Sequence, residues 1–297
     1  MRAARDLIPL VAVVALAASA CGSSGGSKQA VTPVSPSAGQ AATNPLFGML
    51  PAELQSSKKV KAATDGTYPP NEFAGPDGAL MGFDLDLAKA VGDKIGVTIT
   101  FDNAKFDSII TGIVGGRYDL AFSSFTDNKE RQAKVDFVDY FTAGTSILVK
   151  KGNPEKITKL EDLCGKAVAL ESGTVQVTIA KAAKCPAGQS IKVTQLPDDA
   201  TARLQVKSGR AVADMNDFPV AAYTAKTSGG GNDFEVVGTQ YETAPYGAAI
   251  SKKEPGLRDA VKGALSALIA DGTYASILKK WDISQGALKT VTVNAGS

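Results

Sequence analysis

Gly82-Phe83-Asp84-Leu85-Asp86-Leu87-Ala88-Lys89-Ala90-Val91-Gly92-Asp93-Lys94-Ile95 is the stretch that decides how this chain is read. Two carboxylates one residue apart fit an acid/base pair or part of a metal site. The apolar spacing around them points elsewhere. Phe83, Leu87, Ala90, Val91 and Ile95 recur at helical intervals and mark one buried face. Asp84 then falls where an N-cap belongs, and Asp86 lies in the first turn, where the helix dipole favours an anion. The pattern predicts a capped amphipathic helix, so the chemistry of the chain is to be sought elsewhere.

With 297 residues, 44% hydrophobic and 21% charged, the chain has globular composition and the length for one large domain or two lobes. A net charge of +2 makes no electrostatic claim on nucleic acid. The sequence contains no histidine, which disfavours zinc sites, Ser-His-Asp and Cys-His nucleophiles, and imidazole acid/base catalysis. Carboxylate and lysine catalysis stay open. No metal or cofactor is expected.

Residues 1–20 read as a targeting segment, with Arg2 and Arg5 before an apolar run, Leu7 to Ala20, too short for a membrane span. The run ends in Ala18-Ser19-Ala20-Cys21-Gly22. This resembles a bacterial lipoprotein cleavage box, with Ala18 in place of the usual leucine, and makes Cys21 the lipidated residue. The alternative is an ordinary secretory signal in which Cys21 is incidental. The body is then expected to be exported and held at the membrane by its lipid only. Cys164 and Cys185 are expected to pair in an oxidising compartment, which on the chain-entropy account stabilises the fold by roughly 3 kcal/mol. Two buried free thiols are the alternative. Residues 22–44, rich in Ser, Gly, Ala, Pro, Gln and Thr, read as a flexible tether. The anchor and tether together are assigned to 21–57, although Leu46, Phe47, Leu50 and Leu54 are spaced for a short helix packed on the body.

Strand patterns at Val60 to Thr64, Val97 to Phe101 and Asp119 to Ser123 alternate with helical ones, the second helix capped by Asp107 and closed by Gly115-Gly116. Asp65 to Pro70 reads as a loop, and Gly75-Pro76-Asp77-Gly78 as a hairpin turn. The rhythm argues an α/β fold with open sheets. Two extended stretches, Tyr140 to Leu148 and Tyr241 to Ala248, read as crossings between lobes.

The run at 82–95 resembles the signature of the bacterial extracellular solute-binding proteins, family 3, which feed amino acids to ABC transporters. Asp271-Gly272-Thr273-Tyr274 to Lys280-Trp281 resembles that family's closing helices, and the matching motifs follow family order over about residues 58–283. The resemblance implies an α/β, two-lobed periplasmic-binding-protein-like fold (type II), its lobes joined by two hinge strands. Lobe 1 would span 58–146 plus 244–284 and lobe 2 would span 147–243, leaving 285–297 as an accessory strand or loose tail.

A free amino acid carries a carboxylate and an ammonium. Its site calls for a guanidinium that grips the first and a carboxylate that receives the second. Phe122-Ser123-Ser124-Phe125-Thr126-Asp127-Asn128-Lys129-Glu130-Arg131 ends a strand and turns toward a helix, where open α/β sheets bind ligands. The resemblance implies that Ser124, Thr126 and Arg131 hold the ligand carboxylate, with Ser123 an acceptor for the ammonium. Without it, Arg131 would read as a surface residue. Asp127-Asn128-Lys129 departs from the family's commoner Ile-Thr-Pro. In Glu171-Ser172-Gly173-Thr174-Val175-Gln176 a strand runs into a helix start whose amides reach an anion. The resemblance places Thr174, with the amides of Val175 and Gln176, on the same carboxylate; a plain capped turn is the alternative. It also makes Asp217, in Asp214-Met215-Asn216-Asp217-Phe218-Pro219, the ammonium-binding carboxylate. A helix cap is the alternative there, and Asp214 reads as a strand-start residue.

By resemblance, Tyr68 and Phe106 enclose the ligand side chain, although Phe106 alone would equally suit a core. Asp65 and Glu171 approach its far end. If both line it, a cationic side chain fits best, because like charges are costly to bury together. Arginine, lysine or ornithine is the first expectation and glutamine the next. Glu171 facing solvent or paired with a lysine is the alternative. The chain is expected to be a monomeric binding protein that delivers its ligand to an ABC permease. A sensor on the same site is one alternative. Another is a cyclohexadienyl dehydratase-like enzyme, in which Asp65, Glu171 or Asp217 would be the acid or base.

Overall fold

The computed structural model describes residues 44–297. The expectations for the leader, Cys21 and most of the tether fall outside the described residues.

Helices α1 (Pro45–Gly48) and α2 (Ala52–Ser57) precede strand β1 (Lys59–Thr64). The assignment of 45–57 to the anchor and tether does not hold: the spacing of Leu46, Phe47, Leu50 and Leu54 is that of helices packed on the body. Leu50 and Leu54 are buried, and Leu46 and Phe47 pack against the same core. The Asn44 side chain accepts from Leu46 N at 3.1 Å and donates to the Ile95 carbonyl at 2.8 Å, tying α1 to the end of a later helix.

The loop expected at 65–70 contains a short strand, β2 (Thr67–Tyr68), which pairs with β3 (Glu72–Ala74) and through it β4 (Leu80–Met81) in a small antiparallel sheet. The turn between β3 and β4 is the one expected at 75–78. Next come α3 (Phe83–Ile95), β5 (Thr98–Asn103), α4 (Phe106–Val114), β6 (Leu120–Ala121), α5 (Lys129–Gln132) and the long β7 (Val135–Lys150). Then follow β8 (Ala167–Glu171), α6 (Val175–Ala182), β9 (Lys192–Leu196), α7 (Asp199–Lys207), β10 (Ala213–Asp217) and α8 (Phe218–Thr227). The long β11 (Phe234–Ser251) leads to α9 (Pro255–Ala270) and α10 (Thr273–Lys280).

One eight-stranded sheet runs β5-β1-β6-β11-β7-β10-β8-β9. Strands β7 and β11 pair antiparallel along their lengths and belong to both halves. At one end β6 joins β11 at Ala249 and Ile250; at the other, β10 joins β7 from Thr145 to Val149. Each half has its own apolar core. The first gathers Val60, Phe83, Leu87, Phe141, Leu257 and Leu265; the second gathers Ile147, Val149, Leu170 and Met215. This is a two-lobed α/β molecule with two strands crossing between lobes. The β7–β11 register shifts between Val237 and Tyr241, and again before Ala244, so the ladder is irregular at the crossing, where bending is easiest.

Helix α3 lies where apolar spacing put it, but Asp84 is not its N-cap. Gly82 takes that position with φ 136°, and a Cβ there would come 2.2 Å from the Asn71 carbonyl. Only glycine permits that approach of hairpin to helix. Asp84 therefore falls inside the first turn and is fully buried. Asp107 is likewise a first-turn residue, with Lys105 at the cap position of α4. Asp86 behaves as a first-turn anion and accepts from Lys280 Nζ at 2.6 Å and Trp281 Nε1 at 2.7 Å. Cys164 and Cys185 are disulfide-bonded within lobe 2, their Cα atoms 5.6 Å apart.

Candidate functional site

The lobes face each other across a closed chamber lined from both sides by residues at the ends of strands and the starts of helices. Lobe 1 contributes Asp65 after β1, Tyr68 on β2, Phe106 at the start of α4, Ser123, Ser124 and Thr126 after β6, and Arg131 on α5. Lobe 2 contributes Glu171 at the end of β8, Thr174, Val175 and Gln176 at the start of α6, and Asp217 at the end of β10. All twelve positions singled out in the sequence meet there. Glu72 on β3 joins them.

Arg131 sits on a helix of four residues held by a local cap: the Asn128 side chain accepts from Arg131 N at 2.9 Å. Its guanidinium lies over Phe106 and Phe125, 5.4 and 5.2 Å from the ring centres. Nη1 donates to the Thr126 carbonyl at 2.8 Å and Nη2 donates across the chamber to the Gly173 carbonyl at 3.0 Å. Burial lowers its pKa to about 10, which still leaves it charged at neutral pH. The remaining guanidinium hydrogens are available to an anion. Gly173, at φ 80°, allows the lobe 2 turn to come this close, since a Cβ there would lie 2.8 Å from Asp107 Cβ. Phe106 is a half-buried wall of the chamber and stacks on Phe125.

The Thr174 hydroxyl donates to the Glu171 carbonyl at 2.8 Å and makes no cap bond, so the α6 amides are not blocked by their own N-cap side chain. Asp217 occupies the N-cap position of α8 without capping it. Its carboxylate accepts instead from Tyr68 Oη at 3.0 Å and Gln176 Nε2 at 3.0 Å. Burial raises its pKa to about 6, against the opposing effect of the hydrogen bonds from Tyr68 and Gln176 and the charge of Arg131. At neutral pH it is an anion facing a chamber.

At the other end stand Asp65 and Glu171. Asp65 accepts from Thr67 Oγ1 at 2.8 Å and from Phe106 N at 3.0 Å, so it caps α4 from a distance, and burial raises its pKa. Glu171 is only 6% exposed, and its Oε1 has no hydrogen-bond partner. Burial, reinforced by the charges of Asp65, Asp199, Asp214 and Asp198, pushes its pKa up to about 10. It neither faces solvent nor pairs with a lysine. Arg203 bonds Asp199 at 3.0 Å, and Lys105 bonds Asp198 at the rim at 2.9 Å. This end of the chamber is short of positive charge.

Glu72 was not legible beforehand. A charged residue in a hairpin reads as solvent-facing, yet β3 turns it inward. It accepts from Ser124 Oγ at 3.0 Å and Ser123 Oγ at 3.4 Å. The Ser123 hydroxyl also accepts from Asp65 N at 2.9 Å, so it is engaged on both sides. Ser124 is held at φ 48°, its N donating to Asp84 Oδ2 at 2.8 Å. The same oxygen accepts from Tyr140 Oη at 2.8 Å, on a crossing strand. Asp84 thus lies directly beneath the chamber. Burial raises its pKa to about 6 and raises that of Glu72 further, with Asp84 adding to the effect. Glu72 is the partner that keeps the proton. Replacing Asp84 with alanine would leave two buried donors unpaired. An expected loss of about 2–3 kcal/mol of stability follows, read from denaturation midpoints. An unchanged midpoint would show that Ser124 and Tyr140 find other acceptors.

The family model described as "Bacterial extracellular solute-binding proteins, family 3" matches residues 60–284. The arginine-binding protein ArgT of Corynebacterium glutamicum is 32% identical over 251 residues, covering 83% of this chain and 81% of its own length. The L-cystine-binding protein TcyJ of Escherichia coli (strain K12) is 31% identical over 219 residues, covering 73% and 80%. An ancestral arginine-binding protein has been solved bound to arginine and bound to glutamine, with 37% identity and TM-scores of 0.70 and 0.69. These cover 75% and 76% of this chain and 98% of theirs.

Proposed function

This chain belongs to the bacterial extracellular solute-binding proteins, family 3, and from that premise we propose that it captures a free amino acid with a cationic side chain and delivers it to an ABC permease. Arginine is the first choice, followed by lysine and ornithine. Arg131, Thr126 and the amides of Thr174, Val175 and Gln176 receive the carboxylate; Ser124, expected from the resemblance to do so, has both its donors taken by Glu72 and Asp84 and lines the chamber floor instead. Asp217 receives the ammonium, with Ser123 beside it. Tyr68 and Phe106 flank the side chain, and Asp65 and Glu171 meet its charged end. Closure favours the liganded state because only then do both lobes touch the ligand.

The observation that carries this reading is Glu171, a buried carboxyl with an unpartnered oxygen among other acids. A buried carboxylate without a counter-ion is costly, and a guanidinium or ammonium removes that cost. The ancestral protein solved with glutamine favours glutamine as the second reading. A protonated Glu171 would accept an amide without charge.

Affinity measured against pH separates the two. Below about 6, Asp217 gains a proton and every α-amino acid should bind more weakly. Glu171 holds its proton in the closed protein up to about pH 10, and a neighbouring cation lowers that pKa. The arginine complex then binds fewer protons, so arginine affinity rises with pH beyond the Asp217 step. Glutamine affinity levels off there. Parallel profiles for the two ligands between pH 5 and pH 8 would contradict the cationic assignment.

The role is binding without chemistry. Incubation with prephenate or arogenate should return both unchanged, and any product would favour the dehydratase reading. We place the protein outside the cytoplasmic membrane as a monomer tethered through lipid on Cys21. Among the described residues no helix is long and apolar enough to cross a membrane. A release of radiolabelled palmitate on hydrolysis of the purified protein tests the anchor.

A further inference from the structure

Residues 285–297 lie beyond the stretch that the family model matches. They are not a loose tail. Beyond the crossing, β10 no longer flanks β7, and this segment takes the vacated edge through bridges of Ala287 to Phe141 and Val293 to Val138. Asp139 N donates to the Thr292 carbonyl at 3.0 Å, and Asn294 N donates to the Phe137 carbonyl at 3.1 Å. Phe137 N donates to Asn294 Oδ1 at 2.8 Å. Thr292 Oγ1 donates to the buried Asp139 at 2.6 Å.

The chain then reaches the loop that carries Arg131. Gly296 N donates to Asp127 Oδ2 at 2.7 Å. Gln132 Nε2 donates to Asp127 Oδ1 at 2.8 Å and to the Gly296 carbonyl at 3.0 Å. The approach is close enough that a Cβ on Gly296 would come 2.0 Å from the Asp127 carbonyl oxygen. Asp127 is fully buried and stands between the two residues on which Arg131 depends. The carbonyl of Thr126 takes the guanidinium, and the side chain of Asn128 takes the Arg131 amide. From the opposite side, Asp127 N donates to the Pro245 carbonyl at 2.8 Å, on β11.

We infer that residues 287–296 form a clasp that locks the Asp127 loop against the crossing strands and so positions Arg131 for the ligand carboxylate. Gly296 and Gln132 are positioning residues, acting through Asp127. The inference rests on the proposed role of Arg131, but the clasp itself can be tested without ligand.

Two altered chains suffice: one shortened to end at Thr290, and full-length Gly296→Val, which keeps the edge pairing of Val293 and Asn294. Amide hydrogen exchange is followed in the ligand-free proteins, and L-arginine affinity by calorimetry. Exchange over residues 125–133 should rise about tenfold or more in both, with strands β8 and β9 unchanged as an internal reference for folding. Where the unaltered chain binds L-arginine, the dissociation constant should rise about tenfold in both variants, the scale expected when a binding group loses its supporting shell. Unchanged exchange over 125–133 in Gly296→Val overturns the clasp, whatever the shortened chain does. Faster exchange with unaltered L-arginine affinity overturns its positioning role. An unaltered chain that binds no amino acid refutes the ligand reading instead, and the exchange result still decides the clasp.

Discussion

Replacing Arg131 with alanine should weaken L-arginine binding by about a thousandfold or more while leaving the protein folded. Truncating one partner of a buried, hydrogen-bonded charge pair costs roughly 2–5 kcal/mol, and each 1.4 kcal/mol is about tenfold in affinity. Arg131 belongs at the upper end of that range. Its guanidinium is held by two backbone carbonyls from opposite lobes and flanked by two rings, so it is oriented before any ligand arrives. The fold depends on it less. The carbonyls of Thr126 and Gly173 border a chamber that water can enter once the side chain is gone. Arg131→Lys restores charge without the fork, and should recover only part of the affinity. Calorimetry and thermal unfolding on the same samples read both effects. Near-native affinity in the alanine variant would remove Arg131 from the site.

The second large effect is expected at Glu171. Glu171→Gln should weaken arginine and lysine by about a hundredfold, because the cation then meets an amide in place of a carboxylate in a dry setting. Glutamine should be weakened far less, so the preference narrows or reverses. The same variant has a consequence without ligand. A carboxyl whose folded pKa is raised costs nothing below its unfolded pKa and destabilises the fold progressively as pH rises from there to the folded value, here about 10. Removing the titration should therefore raise the thermal midpoint at pH 8 and leave it nearly unchanged near pH 4. Equal losses for arginine and glutamine would mean that Glu171 supports the chamber but does not select its ligand.

Much of the candidate site was legible because strand ends followed by Ser, Gly and Thr announce helix starts that face a ligand, and α/β folds gather such ends in one place. That pattern marks the turns; the roles of Arg131, Thr174 and Asp217 came from the family resemblance, and the three meet in one chamber. The errors share another cause. Asp84 was read as a cap because carboxylates usually serve there. Its actual position depends on how Gly82 packs against Asn71, a contact that no helical periodicity encodes. The stretch that marks the fold therefore also supports the site, from below, through Ser124. Glu72 was invisible because a hairpin glutamate looks solvent-facing until α3 and the serine loop cover it. The segment at 287–296 has little apolar periodicity, and Asp127 and Asp139, two of the residues that hold it, lie more than 140 positions away. Local pattern reports faces and turns; it does not report which distant carboxylate an amide will meet.

The most direct test of a cationic ligand is a calorimetric titration of the unaltered protein at pH 7.5 with arginine, lysine, ornithine, glutamine and glutamate in turn. The account predicts tight binding of at least one of the first three, weaker binding of glutamine and no heat from glutamate. Tight glutamate binding with no response to arginine, lysine or ornithine would contradict it.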